Sequence, residues 1–225
     1  LGGRRVLFLM AAAAEYGPAL RARITPVMTG VGPVEAALSA AVALARLAGQ
    51  GALPDLAVCL GSAGARRLEQ AAVYQAESVG YRDMDASALG FPKGLTPFAD
   101  LPAALPLRTV PGLPAARLST GAAIVSGADY DAIDAEMVDM ETFALLRACQ
   151  SFGVPLVALR GVSDGRTELK ALEDWTSTLH HVDRNLAAAW DRLVDVLTTQ
   201  GRACLQTPAD VGQDPACLPL TETAA

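Results

Sequence analysis

Histidine is nearly absent from this sequence, and its cysteines are few and widely spaced. The two histidines, His180 and His181, are adjacent, so they do not share one face of a helix. The chain has four cysteines: Cys59, Cys149, Cys204 and Cys217. Because they form no CxxC pair and have no histidine nearby, the sequence argues against a metal site and against a secreted disulfide framework. We expect reduced thiols in a cytoplasmic protein.

Basic residues are also in short supply. The chain has 18 Lys and Arg against 24 Asp and Glu, which gives a formal net charge of −6. Non-specific binding to nucleic acid requires clustered Lys and Arg side chains that neutralise phosphates. We therefore expect no nucleic-acid partner, whereas a small neutral substrate is compatible with this charge.

Long apolar runs are missing, and none reaches the roughly 18 residues that span a bilayer. We therefore expect no membrane association. Arg4 and Arg5, followed by the apolar run 6–10 and four alanines, imitate a very short signal peptide. The run is short and Glu15 follows at once, so we interpret it as a first buried strand.

Apolar material is abundant, since 52% of the 225 residues are hydrophobic, enough for one large α/β domain. Runs of strand length and composition lie at residues 6–10, 24–28, 56–60, 72–79, 118–126 and 156–159. Helical periodicity is found from residue 33, over about 140–152 and over about 182–197. We expect one three-layer α/β domain over residues 1–198. The polar tail 199–225 is expected to be flexible.

Polar side chains occur where these apolar elements end. Glu15 follows the first strand, Ser62 lies in the small-residue stretch 61–64, and Glu141 opens a predicted helix. Arg160 and Asp164 follow the last predicted strand. Singly, these could be solvated acids, a tight turn, a partner of the helix dipole and a structural ion pair. Together, the acids at the mouths of buried elements favour a functional site.

Seven motifs in order carry a resemblance to a known family. They are Glu15 after the first strand, 29–33 (TGVGP), 60–64 (LGSAG), 81–85 (YRDMD), 125–127 (VSG), 138–141 (VDME) and 160–164 (RGVSD). The chain resembles the nucleoside phosphorylase/nucleosidase family, and within it the bacterial 5'-methylthioadenosine/S-adenosylhomocysteine nucleosidases. The resemblance covers residues 6 to about 198. It implies a three-layer α/β/α fold with a central mixed sheet.

The resemblance also implies roles at the reacting bond. Asp164 would be the general acid at purine N7, and Ser163 would help to hold it. Glu15 would activate the attacking water, which Ser62 and Arg160 would position. No metal or organic cofactor would be needed for this hydrolysis. The residues expected on the sugar are Glu141, which would accept hydrogen bonds from the ribose hydroxyls, and Met140, which would pack beside the ring.

Further residues would line the rest of the pocket. The family pattern places the purine near Tyr130 and beside Gly64, and the 5' substituent near Val31 and Trp175. Ala86, Leu89 and Pro97 match positions that the family contributes from a neighbouring subunit, which implies a homodimer with shared sites. A plain core role for Leu89 and Trp175 is the alternative.

The expected reaction is hydrolysis of the N-glycosidic bond of a 5'-substituted adenosine. A purine nucleoside phosphorylase of the same fold would need phosphate ligands, usually arginines near the first glycine turn. The stretch 29–33 offers none, and Arg21 and Arg23 precede the second strand. The segment 127–139 is shorter than in the typical nucleosidase, which leaves a futalosine-type hydrolase open. A non-catalytic nucleoside-binding protein is the alternative from another class.

Overall fold

Eight strands and five α-helices make up the computed structural model, which describes residues 3–201 and 205–206. The strands are β1 (Val6–Met10), β2 (Val27–Met28), β3 (Leu56–Gly64), β4 (Val73–Tyr81), β5 (Ala104–Pro106), β6 (Ala115–Thr120), β7 (Met137–Asp139) and β8 (Leu156–Asp164). The helices are α1 (Pro18–Arg21), α2 (Pro33–Gly49), α3 (Thr142–Ser151), α4 (Leu172–Thr176) and α5 (Leu179–Gln200). Short 3₁₀ helices lie at Ala13–Glu15, Ser87–Leu89 and Gly127–Ala132.

The strands β1, β3 and β8 form the parallel centre of one mixed sheet. Strand β3 pairs with β1 on one side and with β8 on the other, both in parallel. Such strands are covered on both faces, which is why β3 and β8 are buried along almost their whole length and not at alternate residues. On the other side of β8, β4 pairs antiparallel, and β6 and β7 follow in order. One antiparallel pair, Gly64 with Val138, joins β7 back to β3 and closes these five strands into a ring.

Helices cover both faces of the sheet. Helices α2 and α3 pack together over one face, on a core that includes Leu44 and Leu145. Helix α5, with α1 beside it, covers the other face through Val182, Leu186 and Leu193. The predicted three-layer α/β/α arrangement with a mixed sheet is therefore confirmed. Among residues 3–201 and 205–206, no helix is long and apolar enough to cross a membrane.

Several predicted element boundaries are wrong, some because the predicted element is too short and others because it is too long. The small residues 61–64 are the end of β3 and not a turn, and β8 runs through Asp164, because both continue their parallel ladder. Strand pairing in the predicted run 24–28 is limited to Val27–Met28 at the sheet edge, because Pro26 has no N–H to donate to a strand ladder. Helix α5 extends to Gln200, into the predicted tail. The rest of that tail, with Cys204 and Cys217, lies outside the described residues except for 201 and 205–206.

Helix α2 buries only part of the apolar stripe expected from its periodicity, which runs through Val34, Leu38 and Leu44. Val34 and Leu38 face outward, since these side chains are 75% and 60% exposed. Leu44 is buried as expected, together with Ala36 and Ala40. Small side chains let this helix lie close to the sheet and to α3, and the larger ones are left on the surface.

Candidate active site

The polar side chains that the sequence singled out lie at one end of the central strands. The parallel strands β1, β3 and β8 all end there, and β7 arrives beside the end of β3. In open α/β sheets, ligands bind at the carboxyl ends of the strands. Glu15 follows β1, Ser62 lies near the end of β3, Glu141 follows β7, and Asp164 ends β8.

Glu15 is held by one carboxylate oxygen only. It closes the 3₁₀ helix Ala13–Glu15 and is 5% exposed. Its Oε1 accepts hydrogen bonds from the backbone N–H and the hydroxyl of Ser62, both at 2.6 Å. The other oxygen, Oε2, is buried and has no hydrogen-bond partner among the described residues. A buried polar atom without a partner is costly, so this oxygen is placed to meet a bound water or ligand.

Trp175 extends this group from the far side. Its indole Nε1 donates to the hydroxyl oxygen of Ser62 at 2.9 Å, so that Glu15, Ser62 and Trp175 form one chain. The short helix α4 that carries Trp175 was not among the predicted helices. The indole is half-buried and bonded to a site residue, so the plain core reading of Trp175 is wrong.

Arg160 is fixed by a different partner from the one considered in the sequence. It is 1% exposed, and its Nη2 lies 2.7 Å from Asp139 Oδ2. The hydroxyl of Thr142 accepts from the same guanidinium. The suggested ion pair with Asp164 is therefore wrong. Both residues belong to β8, but Asp139 from β7 reaches Arg160 because β7 ends beside β3.

Asp139 is the buried acid that the sequence reasoning missed. Its oxygens accept from the hydroxyl of Thr120 at 2.5 Å, and from the hydroxyl and backbone N–H of Thr142 at 2.5 and 2.9 Å. It thus caps the start of α3 and neutralises Arg160 at once. The spacing of an acid three residues before Thr142 is the signal that could have revealed it.

The prediction placed Glu141 in the first turn of α3, but Glu141 is the residue that precedes this helix. Its Oε1 accepts a hydrogen bond from the Gly32 N–H at 3.0 Å across the site. Gly32 adopts φ +99°, which glycine tolerates and other residues rarely adopt. Burial, followed by the negative charge of Asp139, raises the pKa of Glu141 to about 7.

Asp164 lies at the opposite end of the site, beside Gly64. The hydroxyl of Ser163 donates to Asp164 Oδ2 at 2.6 Å. Burial raises the pKa of Asp164, and this hydrogen bond opposes the rise. A carboxyl group with a raised pKa keeps its proton more readily and suits a proton donor.

Tyr130 is brought next to Asp164 by the 3₁₀ helix Gly127–Ala132. Its side chain is buried, and a Cβ at Gly64 would collide with the phenol oxygen and lie 2.9 Å from Asp164 Oδ1. The Tyr130 hydroxyl and the Asp164 carboxyl group thus lie on either side of Gly64, close to its backbone. The segment between β6 and β7 therefore contains a side chain that points into the site.

The remaining predicted residues lie toward the surface. Met140 is half-buried, Val31 is 53% exposed and Leu89 is 79% exposed. A core role for Leu89 is therefore wrong. Within residues 3–201 and 205–206, no three His, Cys, Asp or Glu side chains cluster in a way that could hold a metal ion.

Comparison with known proteins shows which proteins this chain is similar to. Residues 115–195 match the family model described as the phosphorylase superfamily. A 5'-methylthioadenosine/S-adenosylhomocysteine nucleosidase of Actinobacillus succinogenes is 31% identical over 161 residues, which are 60% of this chain and 65% of that enzyme. The chain thus spans just under two thirds of the length of that relative.

Solved structures share the fold. A Helicobacter pylori 5'-methylthioadenosine/S-adenosyl homocysteine nucleosidase matches with a TM-score of 0.70 at 19% identity, over 85% of this chain and 98% of that one. A futalosine hydrolase of Helicobacter pylori also matches with a TM-score of 0.70 at 19% identity, over 85% and 97%. The resemblance of this chain to the nucleoside phosphorylase/nucleosidase family, including its bacterial 5'-methylthioadenosine/S-adenosylhomocysteine nucleosidases, is thereby confirmed.

Proposed function

We propose that this protein hydrolyses the N-glycosidic bond of a 5'-substituted adenosine of the methylthioadenosine or S-adenosylhomocysteine type. One observation carries the proposal: two carboxyl groups lie at the carboxyl end of the central strands, and each accepts a hydrogen bond from a serine hydroxyl. Glu15 has one oxygen tied to Ser62 and one without a partner, whereas burial raises the pKa of Asp164. Displacement of a purine by water needs a general base that takes a proton from the water and a general acid that protonates the leaving purine.

In the proposed reaction, Glu15 Oε2 takes a proton from a water molecule while the water oxygen bonds to the anomeric carbon. The bond from that carbon to N9 breaks, and its electron pair passes into the purine. Asp164 gives its proton to N7, so that adenine leaves as a neutral molecule. Ser62 keeps the Glu15 carboxylate oriented, and Ser163 does the same for Asp164. The products are adenine and the 5-substituted ribose.

Glu141 and Met140 are proposed to hold the ribose between these two groups. The Gly32 N–H occupies Glu141 Oε1, which leaves Oε2 to accept from the sugar hydroxyls. Arg160 is proposed to act on the water through the guanidinium edge near Gly61, where a Cβ would meet its Nη1 and both oxygens of Glu15. Val31 and Trp175 would border the 5' substituent.

A homodimer is part of this proposal. Val34, Leu38 and Val42 follow at helical spacing on α2 and are exposed, as are Leu89 and Phe98 on the long excursion after β4. Exposed apolar side chains that recur on one helix face favour an interface with a second copy. Sedimentation of the protein and of Leu38→Glu tests it: a monomeric native protein would contradict the dimer.

The decisive experiment measures adenine release from methylthioadenosine with and without inorganic phosphate. We expect release in both conditions, and Asp164→Asn should lower turnover roughly 10²–10⁴-fold. The control Asp195→Asn, on the exposed side of α5, should behave as wild type. Turnover of the Asp164 variant within a few-fold of wild type would contradict the acid assignment.

The same assay separates the competing functions. Release that requires phosphate would indicate a phosphorylase. Cleavage of futalosine in preference to methylthioadenosine would indicate a hydrolase like the futalosine hydrolase that shares this fold. Binding of nucleosides by folded protein without any cleavage would indicate a non-catalytic binding protein.

A further inference from the structure

The hydroxyl of Tyr130 is a second buried polar atom with no partner. The Tyr130 side chain is 9% exposed and packs with Val125 and Val138. Its oxygen makes no hydrogen bond among the described residues, a property it shares only with Glu15 Oε2 among their buried side-chain nitrogen and oxygen atoms. A buried hydroxyl is normally satisfied, so an unpaired one at a candidate site suggests that a ligand completes it.

This hydroxyl lies over two glycines beside Asp164. A Cβ at Gly165 would lie 2.7 Å from the phenol oxygen, and a Cβ at Gly64 would collide with it. Asp164 Oδ1 would be 2.9 Å from the same Cβ of Gly64. Because neither glycine has a side chain, the phenol oxygen can pack close to the carboxyl group of Asp164.

Arg66 holds the segment that carries Tyr130 in this position. Its guanidinium lies over the Tyr130 ring, 5.4 Å from the centroid, and pairs with Asp131 at 2.5 Å. It also donates to the carbonyl oxygen of Gly127. These contacts connect the 3₁₀ helix directly to the chain that leaves β3. The contacts of Arg66 thus help to fix the direction of the Tyr130 phenol.

The protonation of the phenol suits a hydrogen-bond donor. Burial, followed by the negative charge of Asp164, raises the pKa of Tyr130 above its ordinary value, and Arg66 opposes the rise. The hydroxyl therefore keeps its proton at neutral pH. As a hydroxyl it can also accept a hydrogen bond.

The purine edge beside N7 presents two kinds of neighbour. An adenine offers the N7 acceptor and an amino donor at position 6, whereas a 6-oxopurine offers two acceptors, N7 and O6. Asp164 alone supplies one donor, for N7. We propose that the Tyr130 hydroxyl hydrogen-bonds to the 6-substituent of the base and thereby admits 6-oxopurine nucleosides as well as 6-aminopurine nucleosides. This inference rests on the proposed function.

Paired substrates test it. We expect the wild-type protein to cleave 5'-methylthioinosine and 5'-methylthioadenosine with kcat/KM values within about tenfold of each other. Tyr130→Phe should lower kcat/KM for the inosine roughly 10–100-fold, because O6 is then left unpaired. For the adenosine the loss should be less than about threefold, since its amino group can donate to the Asp164 carboxyl group instead.

Controls separate the outcomes. Tyr74→Phe removes a hydroxyl from a tyrosine that packs against the core, and it should change neither substrate. Equal losses of both substrates in Tyr130→Phe would overturn the inference, as would a wild-type protein that cleaves only the adenosine. If the wild-type protein cleaves neither, the proposed function fails. Calorimetry with free hypoxanthine and adenine then still decides: selective loss of hypoxanthine binding in Tyr130→Phe supports the inference, and no difference overturns it.

Discussion

Glu141→Gln should make the protein more stable above neutral pH and a poorer enzyme. In the native protein this carboxyl group is 6% exposed, and its pKa is raised from 4.5 to about 7, first by burial and then by Asp139. Glutamine has the same shape, and its amide oxygen can still accept from the Gly32 N–H. The substitution therefore removes the charge and keeps the hydrogen bond.

The sign of the effect follows from proton binding. Between pH 4.5 and about 7 the folded protein holds more protons at Glu141 than the unfolded chain does. The stabilisation from this group is thus complete below the unfolded pKa and is lost as the pH rises through about 7. The gap between the two pKa values corresponds to about 3 kcal/mol of unfolding free energy. Above pH 8 or so the Gln variant should exceed wild type by up to that amount.

Urea unfolding from about pH 5 to about pH 8 measures this difference. Glu69→Gln, an exposed control, should follow the wild-type curve. Because Glu141 is the proposed acceptor for the ribose hydroxyls, Glu141→Gln should also lower kcat/KM for methylthioadenosine by about 10–100-fold. A Glu141→Gln variant with the same pH dependence of stability as wild type would refute the reasoning.

Two further predictions concern the groups around the acids. Asp139→Asn should destabilise the fold by about 3–5 kcal/mol in urea unfolding, because it leaves the Arg160 charge buried and uncompensated. Asp191→Asn, which breaks an exposed ion pair, should cost less than about 1 kcal/mol, and similar losses in the two variants would argue against a buried pair. Trp175→Phe removes the donor to Ser62 and should lower kcat about 3–30-fold in steady-state kinetics with little change in stability; unchanged kcat would leave Trp175 without a positioning role.

Local patterns were sufficient for most of the elements. The apolar runs that became β1 and β8, and Pro33 at the start of α2, could be read directly because strand burial and helix entry depend on neighbouring residues. The motif order was sufficient for the family resemblance and for the fold. Predicted boundaries failed at residues 61–64, since small residues resemble a turn until a pairing partner, β8, is known.

The partners within the site depended on the tertiary structure. The sequence by itself determined that acids follow the buried strands. It could not determine that Asp139, and not Asp164, neutralises Arg160, because that depends on β7 meeting β3 at one pair, Gly64 with Val138. The orientation of Tyr130 toward Asp164 likewise depends on Arg66 and two glycines far apart in the chain. Hydrogen bonds and charge pairs act over a few ångströms, so only the folded chain decides which of these groups meet.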